Sequence, residues 1–397
     1  MSPSAADRPW FVFAGGGTGG HLYPALAIAS ELRTLRPDVR VSFFCTDRPI
    51  DRRILDAAGF ESLPQTVRPF STRPWRWPGF LTAWRGAIRR CVAEFRTMRP
   101  AVVIGGGGYG SDPPVRAAMR LGIPTAILNP DLVPGRANRA LAQRVDRVFA
   151  QWAGTQRYLG DVPGFRAWGC PVRPAFGRAD RADGVRRFGL DPDRRSLLVT
   201  GASQGARTIN EAMIALAPRL AEVDGWQVLH LAGSADVDRV RIAYAAAGMA
   251  AEVLSFTDHM AEAMVAADLA VSRAGASTLA ELTAAALPSV LLPYPFHRDQ
   301  HQLHNAEVLR DAGAAVIVPD RIDVVANAPA LADALLGLMA EPDRLAAMAT
   351  AARNLARPCA AFDLATELLV LAGLENPVKS FHGPGSRKSA NTAYTAP

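Results

Sequence analysis

The sequence predicts an α/β protein with two parallel-sheet domains that face each other across a cleft. The chain has 397 residues, and at roughly 150 residues per domain this length favours two domains over one. Short apolar runs alternate with helical segments, which is typical of parallel sheets built from strand–helix–strand units. The alternation starts again after about residue 175, so we expect two sheets. Because ligands of open parallel sheets bind beyond the carboxyl ends of the strands, the cleft between the sheets is the expected site.

The apolar runs and helical segments give the order of the elements. In the first half we predict a helix over Tyr23–Leu35 and strands over Trp10–Ala14, Val39–Cys45, Val102–Ile104 and Thr125–Leu128. In the second half we predict a helix over Ala206–Leu220 and strands over Ser196–Thr200, Trp226–Leu231, Leu269–Val271 and Ser289–Leu292. Two helical stretches, Ala332–Ala356 and Ala360–Leu371, are expected to close the fold.

A segment rich in Gly and Pro separates the two halves. It reads Gly-Cys-Pro-Val-Arg-Pro over 169–174 and predicts a stiff hinge. The predicted division is a first domain over 1–168, a hinge over 169–176, a second domain over 177–356 and a closing helix over 357–375. The remaining residues, 376–397, are rich in Gly, Ser, Lys and Pro and are expected to form a disordered tail.

Composition narrows the class of protein. Hydrophobic residues make up 49% of the chain and charged residues 20%, a globular balance that argues against a largely disordered chain. The net charge of +7 favours anionic partners such as nucleotides, nucleic acid or acidic lipid. The cysteines lie far apart without a C-x-x-C pair, which argues against disulfide staples and a thiolate zinc site. They are Cys45, Cys91, Cys170 and Cys359.

The first glycine cluster runs from Gly15 to Gly20 and is followed by His21. It lies between a predicted strand and a predicted helix, so its backbone N–H groups and the helix dipole favour an anion. Gly15, Gly17 and Gly20 also match G-x-G-x-x-G, with Asp47 as the acid that would bind a ribose, which is the pattern of a dinucleotide enzyme. His21 at the helix start is a candidate catalytic base, with a structural histidine as the alternative.

Three further segments place small or polar residues between a strand and a helix start. The first, Gly201–Arg207, contains Ser203 and could hold a diphosphate, or could form an ordinary helix cap. The second, Ser272–Glu281, ends in a carboxylate that suits vicinal ribose hydroxyls or instead interacts with the helix dipole. The third, Asp299–Ala306, offers amide and imidazole groups for hydroxyls, or is a solvated helix start. Four such segments in one chain favour a ligand site over four separate caps.

Together these segments resemble the MurG family of peptidoglycan glycosyltransferases (glycosyltransferase family 28), from about residue 10 to 318. The first loop with His21–Ala27, the second glycine loop Gly105–Gly110 and the hinge Gly169–Arg173 carry the resemblance beside the three later segments. It implies the GT-B fold, in which two Rossmann-like domains face an interdomain cleft. It also implies transfer of N-acetylglucosamine from a UDP-sugar to a lipid-linked muramyl-peptide acceptor, the step from lipid I to lipid II.

The resemblance implies roles for individual residues. His21 would remove the acceptor proton in an inverting transfer. Arg173 and Ser203 would face the donor diphosphate, and Glu281 would bind the ribose. Because these groups and helix N-termini would stabilise the negative charge of the departing UDP, no metal and no other cofactor is expected. The acidic segment Asp191–Asp193 has the form D-x-D of a metal motif, but we expect a turn there.

Further donor contacts follow from the same resemblance. The segment at Thr257 would contact uracil through its backbone, and Gln302 would contact the sugar. The full predicted nucleotide-sugar set is Gly17, Thr18, Gly19, Asp131, Arg173, Ser203, Gln204, Thr257, Ser277, Thr278, Glu281, His301 and Gln302.

Two segments depart from the family pattern and leave the acceptor open. Leu-Asn-Pro-Asp over 128–131 stands where the family usually has His-Glu-Gln-Asn, and Ser-Asp-Pro-Pro over 111–114 replaces Ser-Gly-Pro. The alternatives are therefore another GT-B glycosyltransferase with a different acceptor, a nucleotide-sugar epimerase, or a binding protein without catalysis. A NAD-dependent oxidoreductase is the alternative of a different class, but it leaves the second domain's three segments unexplained.

An aromatic and basic segment before residue 90 predicts contact with an anionic membrane surface. Its aromatic residues are Phe70, Trp75, Trp77, Phe80 and Trp84, interleaved with Arg73, Arg76, Arg85 and Arg89. A core-packing helix and stacking on nucleic acid are the alternatives, and we expect no nucleic-acid partner. The first residues have no signal-peptide pattern, and no apolar run reaches the roughly 20 residues of a spanning helix. We therefore expect a peripheral protein at the cytoplasmic face of the cell membrane.

Overall fold

A computed structural model of the chain describes residues 8–16, 19–68, 73, 75, 77–201, 205–296 and 299–374. These residues form two parallel sheets, one after the other along the chain, and each is covered by helices. The predicted α/β class with two parallel sheets is confirmed.

The first sheet has seven strands in the described residues, in the order β3-β2-β1-β4-β5-β6-β7, and neighbouring strands are parallel. The strands are β1 (Trp10–Ala14), β2 (Arg40–Thr46), β3 (Glu61–Gln65), β4 (Val102–Gly105), β5 (Thr125–Asn129), β6 (Arg147–Ala150) and β7 (Phe165–Arg166). The helices are α1 (Gly19–Leu35), α2 (Pro49–Ala57), α3 (Trp77–Thr97), α4 (Asp112–Arg120), α5 (Arg136–Ala142) and α6 (Gln156–Leu159). The strand order reverses between β1 and β4, which places a crevice at their carboxyl ends.

The second sheet has six strands in the same part of the chain, in the order β10-β9-β8-β11-β12-β13, again parallel. The strands are β8 (Arg195–Thr200), β9 (Trp226–Leu231), β10 (Ala251–Leu254), β11 (Leu269–Ser272), β12 (Ser289–Leu291) and β13 (Ala315–Ile317). The helices are α7 (Arg181–Arg187), α8 (Arg207–Ala221), α9 (Val237–Ala246), α10 (Met260–Ala266), α11 (Ala276–Ala284), α12 (His301–Asp311), α13 (Val324–Met339), α14 (Pro342–Leu355) and α15 (Ala360–Leu371). This order reverses between β8 and β11.

Strand β1 shows why the central strands are apolar without alternation. Phe11 and Phe13 pack into a core shared with α1 and α15, whereas Trp10 and Val12 pack into a second core with α3 and α4. All four side chains are at most 1% exposed. A strand that is covered by helices on both faces needs apolar residues at every position.

The last helix returns to the first domain. Leu364 and Leu368 of α15 are buried in the core beneath α1, and Glu367 forms an ion pair with Arg147 of β6. The carboxyl-terminal part of the described chain therefore ties the two domains together, because α14 packs on the second domain while α15 packs on the first.

One predicted helix is wrong in its extent. The stretch predicted over Ala332–Ala356 is two helices, α13 and α14, that are separated at Ala340 and Glu341. Pro342 begins α14, and proline suits a first helical position but cannot continue a preceding helix. Among the described residues no single helix has both the length and the apolar composition to cross a membrane. The two criteria are met only when helix α13 is taken together with the stretch Pro342–Leu371, and the chain bends by 97° between them.

Candidate active site

A cavity of about 1460 Å³ lies between the two domains. Loops that follow β4 and β5 form its wall in the first domain, and loops that follow β8, β11 and β12 form its wall in the second. These are the carboxyl ends of the parallel strands, where the ligands of open α/β sheets bind. The predicted interdomain cleft is therefore present, with both sheets contributing to it.

Two glycines between β8 and α8 are closely packed. A Cβ at Gly205, where φ is +76°, would lie 2.2 Å from the carbonyl oxygen of Ala232. A Cβ at Gly201 would lie 2.0 Å from the backbone nitrogen of Ala206. Only glycine fits either position, and the first turn of α8, which follows Gly205 and Ala206, lies at the cavity. The free N–H groups of that turn favour an anionic ligand such as a diphosphate.

Several predicted site residues fall on parts of the chain that the structure does not describe. They are Gly17, Thr18, Ser203 and Gln204, together with the side chain of His21. Their roles stay predictions.

Arg173 and Glu281 meet at the cavity, although the resemblance assigned them to different parts of the donor. Arg173 lies in the hinge and donates from Nε and Nη2 to Oε1 of Glu281, at 3.0 and 2.8 Å. The guanidinium also lies 5.1 Å from the ring centre of Tyr23 on α1. Burial raises the pKa of Glu281, while the nearby Arg173 counteracts that rise. The ion pair joins the hinge to α11, so both residues are held at the cavity before any ligand binds.

Two junctions link the domains on either side of the cavity. At the first, the hydroxyl of Ser277 on α11 donates to the carbonyl oxygen of Gly20 on α1, at 2.9 Å. The start of α1, which contains Gly19 and His21, therefore lies against the first turn of α11. Thr278 beside Ser277 also lines the cavity.

The second junction joins the loop after β5 to α12. Asn305 donates from Nδ2 to Asp131 at 2.8 Å and accepts from the backbone N–H of Leu132 at 2.8 Å. Nδ1 of His301 lies 3.0 Å from the carbonyl oxygen of Val133. The predicted residues Asp131 and His301 thus come from different domains but lie at one edge of the cavity.

Gln302 and Thr257 line the cavity and already have backbone partners. Oε1 of Gln302 accepts from the backbone N–H groups of Ala274 and Tyr294, at 3.1 and 2.9 Å. The hydrogens of its Nε2 group are then the part of the side chain suited to a sugar oxygen. The hydroxyl of Thr257 accepts from the backbone N–H of His259 at 3.0 Å, which fixes the loop after β10.

Arg273 is a supporting residue that the sequence did not identify. It is 8% exposed and forms an ion pair with Asp320 at 2.7 Å. It also donates to Thr208 in the first turn of α8 and to the carbonyl of Leu292 after β12, at 2.7 and 2.9 Å. Burial alone would raise the pKa of Asp320, but hydrogen bonds from Thr208, the Ile322 backbone, Asn327 and Arg273 lower it. Arg273 thereby holds three cavity loops together. An arginine among small residues in 272–278 was the available signal.

The first glycine loop has its own buried support. The carboxylate of Asp51, which is 0% exposed, accepts from the backbone N–H and the hydroxyl of Thr46 at 3.1 and 2.6 Å. A Cβ at Gly16 would lie 2.3 Å from Oδ2 of Asp51. Gly16 therefore allows the backbone at its own position to lie directly on this carboxylate.

The aromatic segment reaches the same cavity. Phe80, Leu81 and Trp84 of α3 line its first-domain end, and Trp84 donates from Nε1 to Asp112 while Arg116 lies over its ring. Trp75 is 73% exposed before the helix. Phe70 and Arg76 lie outside the described residues. The segment is thus an exposed aromatic surface that continues into the cavity wall.

The acidic D-x-D segment is a turn, as predicted. The backbone N–H groups of Asp193 and Arg194 both bond to Asp191, just before β8 begins at its amino end. Within the described ranges, no group of three or more His, Cys, Asp and Glu side chains is arranged to hold a metal ion.

Two parallel α/β domains with glycine loops at helix starts on both sides of one cleft define the GT-B class of architecture. Comparison with known families agrees with this class. Residues 11–150 match the glycosyltransferase family 28 N-terminal domain, and residues 196–361 match the glycosyltransferase family 28 C-terminal domain. The chain belongs to glycosyltransferase family 28.

Similar proteins extend over nearly the whole chain. The UDP-N-acetylglucosamine--N-acetylmuramyl-(pentapeptide) pyrophosphoryl-undecaprenol N-acetylglucosamine transferase of Desulforamulus reducens is 37% identical over 361 residues, 89% of this chain and 96% of that protein. The transferase of the same name from Nitratidesulfovibrio vulgaris is 40% identical over 350 residues, 87% of this chain and 93% of that protein.

Solved structures support the fold. The crystal structure of MurG from Acinetobacter baumannii matches with a TM-score of 0.73 at 25% identity, over 91% of this chain and 99% of that one. A UDP-GlcNAc 2-epimerase from Neisseria meningitidis, bound to UDP-GlcNAc, matches with a TM-score of 0.65 at 13% identity, over 91% and 99% of the two chains. The second likeness shows only that epimerases share this fold.

Proposed function

We propose that the protein transfers N-acetylglucosamine from UDP-N-acetylglucosamine to N-acetylmuramyl-(pentapeptide) pyrophosphoryl-undecaprenol, as its relatives are named to do. The observation that carries this proposal is the identity of 37% to 40% with such transferases along nearly the full length of both domains. Family membership favours a transferase over the dinucleotide-dependent oxidoreductase that the first glycine loop also suggested. The anion-favouring start of α8 and the Arg173–Glu281 pair at the cavity support a nucleotide-sugar donor on the second domain.

The proposed chemistry is an inverting displacement at the anomeric carbon. His21 at the start of α1 takes the proton of the acceptor hydroxyl as that oxygen attacks, and UDP departs with the electrons of the glycosidic bond. The negative charge that develops on UDP is stabilised by Arg173, by Ser203 and by the backbone N–H groups at the start of α8. A guanidinium and helix-start N–H groups provide positive electrostatic potential for that charge, so we propose that the transfer requires no metal.

A transfer assay tests this function. Radiolabelled UDP-N-acetylglucosamine is incubated with the lipid-linked acceptor in detergent, with and without EDTA, and the labelled lipid is extracted. We expect labelled lipid that depends on the acceptor, at rates that EDTA does not change. Loss of transfer on chelation, restored by a divalent cation, would contradict the metal-free mechanism.

The same assay separates the alternatives. A 2-epimerase would convert the labelled donor into its C2 epimer without any acceptor, which chromatography of the free nucleotide sugar detects. Transfer to other lipid-linked acceptors but not to the muramyl-pentapeptide acceptor would identify a related glycosyltransferase with a different acceptor. UDP binding without either product would indicate a binding protein that has lost catalysis.

We also propose that the exposed aromatic surface at Trp75 and Trp77 lies on an anionic membrane. Trp75 is 73% exposed and Trp77 is 45% exposed. Trp77 begins α3, whose Phe80 and Trp84 line the cavity. A lipid-linked acceptor would then enter from the membrane beside the cavity. The four cysteines are free and three are buried, which suits a reducing compartment and hence the cytoplasmic face.

Vesicle binding tests the membrane surface. The double variant Trp75→Ala/Trp77→Ala is expected to bind anionic vesicles at least about tenfold more weakly, since burial of a large apolar side chain is worth more than about 1.4 kcal/mol. Co-sedimentation with phosphatidylglycerol vesicles measures this. The control is Ile242→Ala/Val325→Ala, because those residues are 70% and 81% exposed on the second domain. Equal weakening by both double variants, or by neither, would argue against this surface.

A further inference from the structure

Two contacts hold the side chain of Arg116 at the first-domain end of the cavity. Arg116 lies on α4, and its Nε group donates to both carboxylate oxygens of Asp112, at 2.8 and 2.9 Å. The guanidinium carbon lies 5.5 Å from the ring centre of Trp84, whose Nε1 group also donates to Asp112. The ion pair and the cation–π contact together orient the guanidinium before any ligand binds.

The Nη1 and Nη2 groups of Arg116 are available to a ligand. Neither has a hydrogen-bond partner in the part of the chain that the structure describes, since only Nε bonds to Asp112. The side chain is 22% exposed and forms part of the cavity wall. The two groups share one plane and donate in parallel, which matches two oxygens of a phosphate or a carboxylate. An oriented arginine of this kind in a substrate cavity points to an anionic ligand.

The charges around Arg116 also favour an anion. Within the described residues, the first-domain wall of the cavity carries three arginines, Arg68, Arg116 and Arg136. It carries two carboxylates, of which Asp112 pairs with Arg116 and Asp131 bonds to α12 at the junction of the domains. The excess of positive charge on this wall attracts an anionic group of a substrate.

The layout of the acceptor decides which anion Arg116 meets. The inference rests on the proposed function, in which a pyrophosphoryl group joins the muramyl-peptide to undecaprenol. The lipid would lie at the exposed aromatic surface, while the reacting hydroxyl must reach the donor near Arg173 and Glu281. Arg116 contacts Trp84 of α3, the helix that begins at Trp77, so it lies at the end of the cavity nearest that surface. The pyrophosphoryl group is the part of the acceptor between lipid and sugar.

We propose that Arg116 binds the pyrophosphoryl group of the lipid-linked acceptor through its Nη1 and Nη2 groups. The segment Ser-Asp-Pro-Pro over 111–114 departs from the family pattern, and its Asp112 supplies the carboxylate that orients Arg116. The peptide carboxylates are the other anions of the acceptor. They branch from the sugar, so the position of the lipid does not bring them to this end of the cavity.

Acceptors of altered charge test the proposal. One analogue replaces the pyrophosphoryl group by an uncharged linker of the same length, and another keeps that group but carries its peptide carboxylates as amides. Arg116→Gln should lower kcat/KM about 10- to 150-fold for the parent and the amidated acceptor, because a hydrogen bond to a charged group is lost. With the uncharged linker it should lower kcat/KM by less than about threefold. Single-turnover reactions with enzyme in excess measure the slow acceptors.

Arg120→Gln is the matched control, because Arg120 is exposed one turn further along α4. It should keep the wild-type kcat/KM with every acceptor. An equal loss in Arg116→Gln with all three acceptors would make Arg116 a structural residue and overturn the proposal. A loss that disappears with the amidated acceptor would assign Arg116 to the peptide and also overturn it. Arg116→Met, which keeps an unbranched stem beside Trp84, takes the place of Arg116→Gln if that variant does not fold, with the same comparisons.

Two binding measurements separate the acceptor from other phosphates. The affinity of Arg116→Gln for UDP and for phosphatidylglycerol vesicles should stay within about twofold of wild type, by calorimetry and co-sedimentation. Weakened UDP binding would place Arg116 at the donor. Weakened vesicle binding with unchanged kcat/KM in detergent would place it at a lipid headgroup of the membrane. Either result contradicts the proposal.

Failure of the proposed function would look different. The wild-type enzyme would then not transfer to the parent muramyl-peptide acceptor at all, under any of these conditions. That result refutes both statements together, whereas transfer that does not depend on Arg116 refutes only the role of Arg116.

Discussion

Replacing His21 with Ala is expected to reduce turnover about 10²–10⁴-fold and to leave UDP affinity nearly unchanged. His21 follows Gly20, whose carbonyl accepts the hydroxyl of Ser277 from the other domain at 2.9 Å. This bond brings the start of α1 to the donor side of the cavity, while most of the proposed donor contacts, among them Arg173 and Glu281, lie in the hinge and on the second domain. A base at that helix start can therefore act on the acceptor without holding UDP. Single-turnover transfer beside a UDP titration measures both quantities.

A second histidine provides the control for this experiment. His304 lies on α12 and bonds to Glu307 of the same helix at 3.0 Å, so His304→Ala should keep wild-type turnover. If a folded His21→Ala protein also keeps wild-type turnover when chemistry limits the rate, His21 is not the base. His301, which lines the cavity, would then be tested next.

The fold was predictable because the signal for each central strand is local. The run Trp10–Ala14 is uninterrupted and apolar, and β1 has those same bounds. The prediction missed β3, Glu61–Gln65, because that edge strand contains Glu, Pro and Gln and is only partly buried. It also placed the start of the first helix at Tyr23 rather than Gly19. Glycines disfavour a helix locally, and the tertiary contact of Gly20 with Ser277 is not visible in sequence.

The loops that form the cavity could be located from sequence, but their contacts could not. Each loop combines a strand end, small residues and a helix start, which is a pattern of adjacent residues. Arg173 and Glu281 are separated by 108 positions, and nothing in either segment indicates that they pair. The bond of Arg273 to Asp320 depends likewise on how strands are ordered in a sheet. Such contacts support the site rather than define its motif.

The pairing of Arg173 with Glu281 makes the donor prediction sharper. If Glu281 binds the ribose, Glu281→Ala should weaken UDP binding by roughly 10- to 150-fold, because a hydrogen bond to a charged group is worth about 1.5–3 kcal/mol. The same substitution also releases Arg173, whose Nε and Nη2 both bond to Oε1 of Glu281. A released guanidinium would move toward the diphosphate and partly offset the loss. The UDP affinity of the Glu281→Ala variant therefore combines two opposing effects, the lost contact with the ribose and the release of Arg173.

Uridine separates them, because it has the ribose and lacks the phosphates. A ribose contact predicts that Glu281→Ala weakens uridine at least as much as UDP, by calorimetric titration of both ligands. A role limited to positioning Arg173 predicts unchanged uridine affinity and altered UDP affinity, and that result would contradict the ribose assignment. Glu307→Ala is a matched control, since Glu307 is also a helical glutamate with a basic partner, His304. Unchanged affinity for both ligands in folded Glu281→Ala would show that the carboxylate serves only the contact between the hinge and α11.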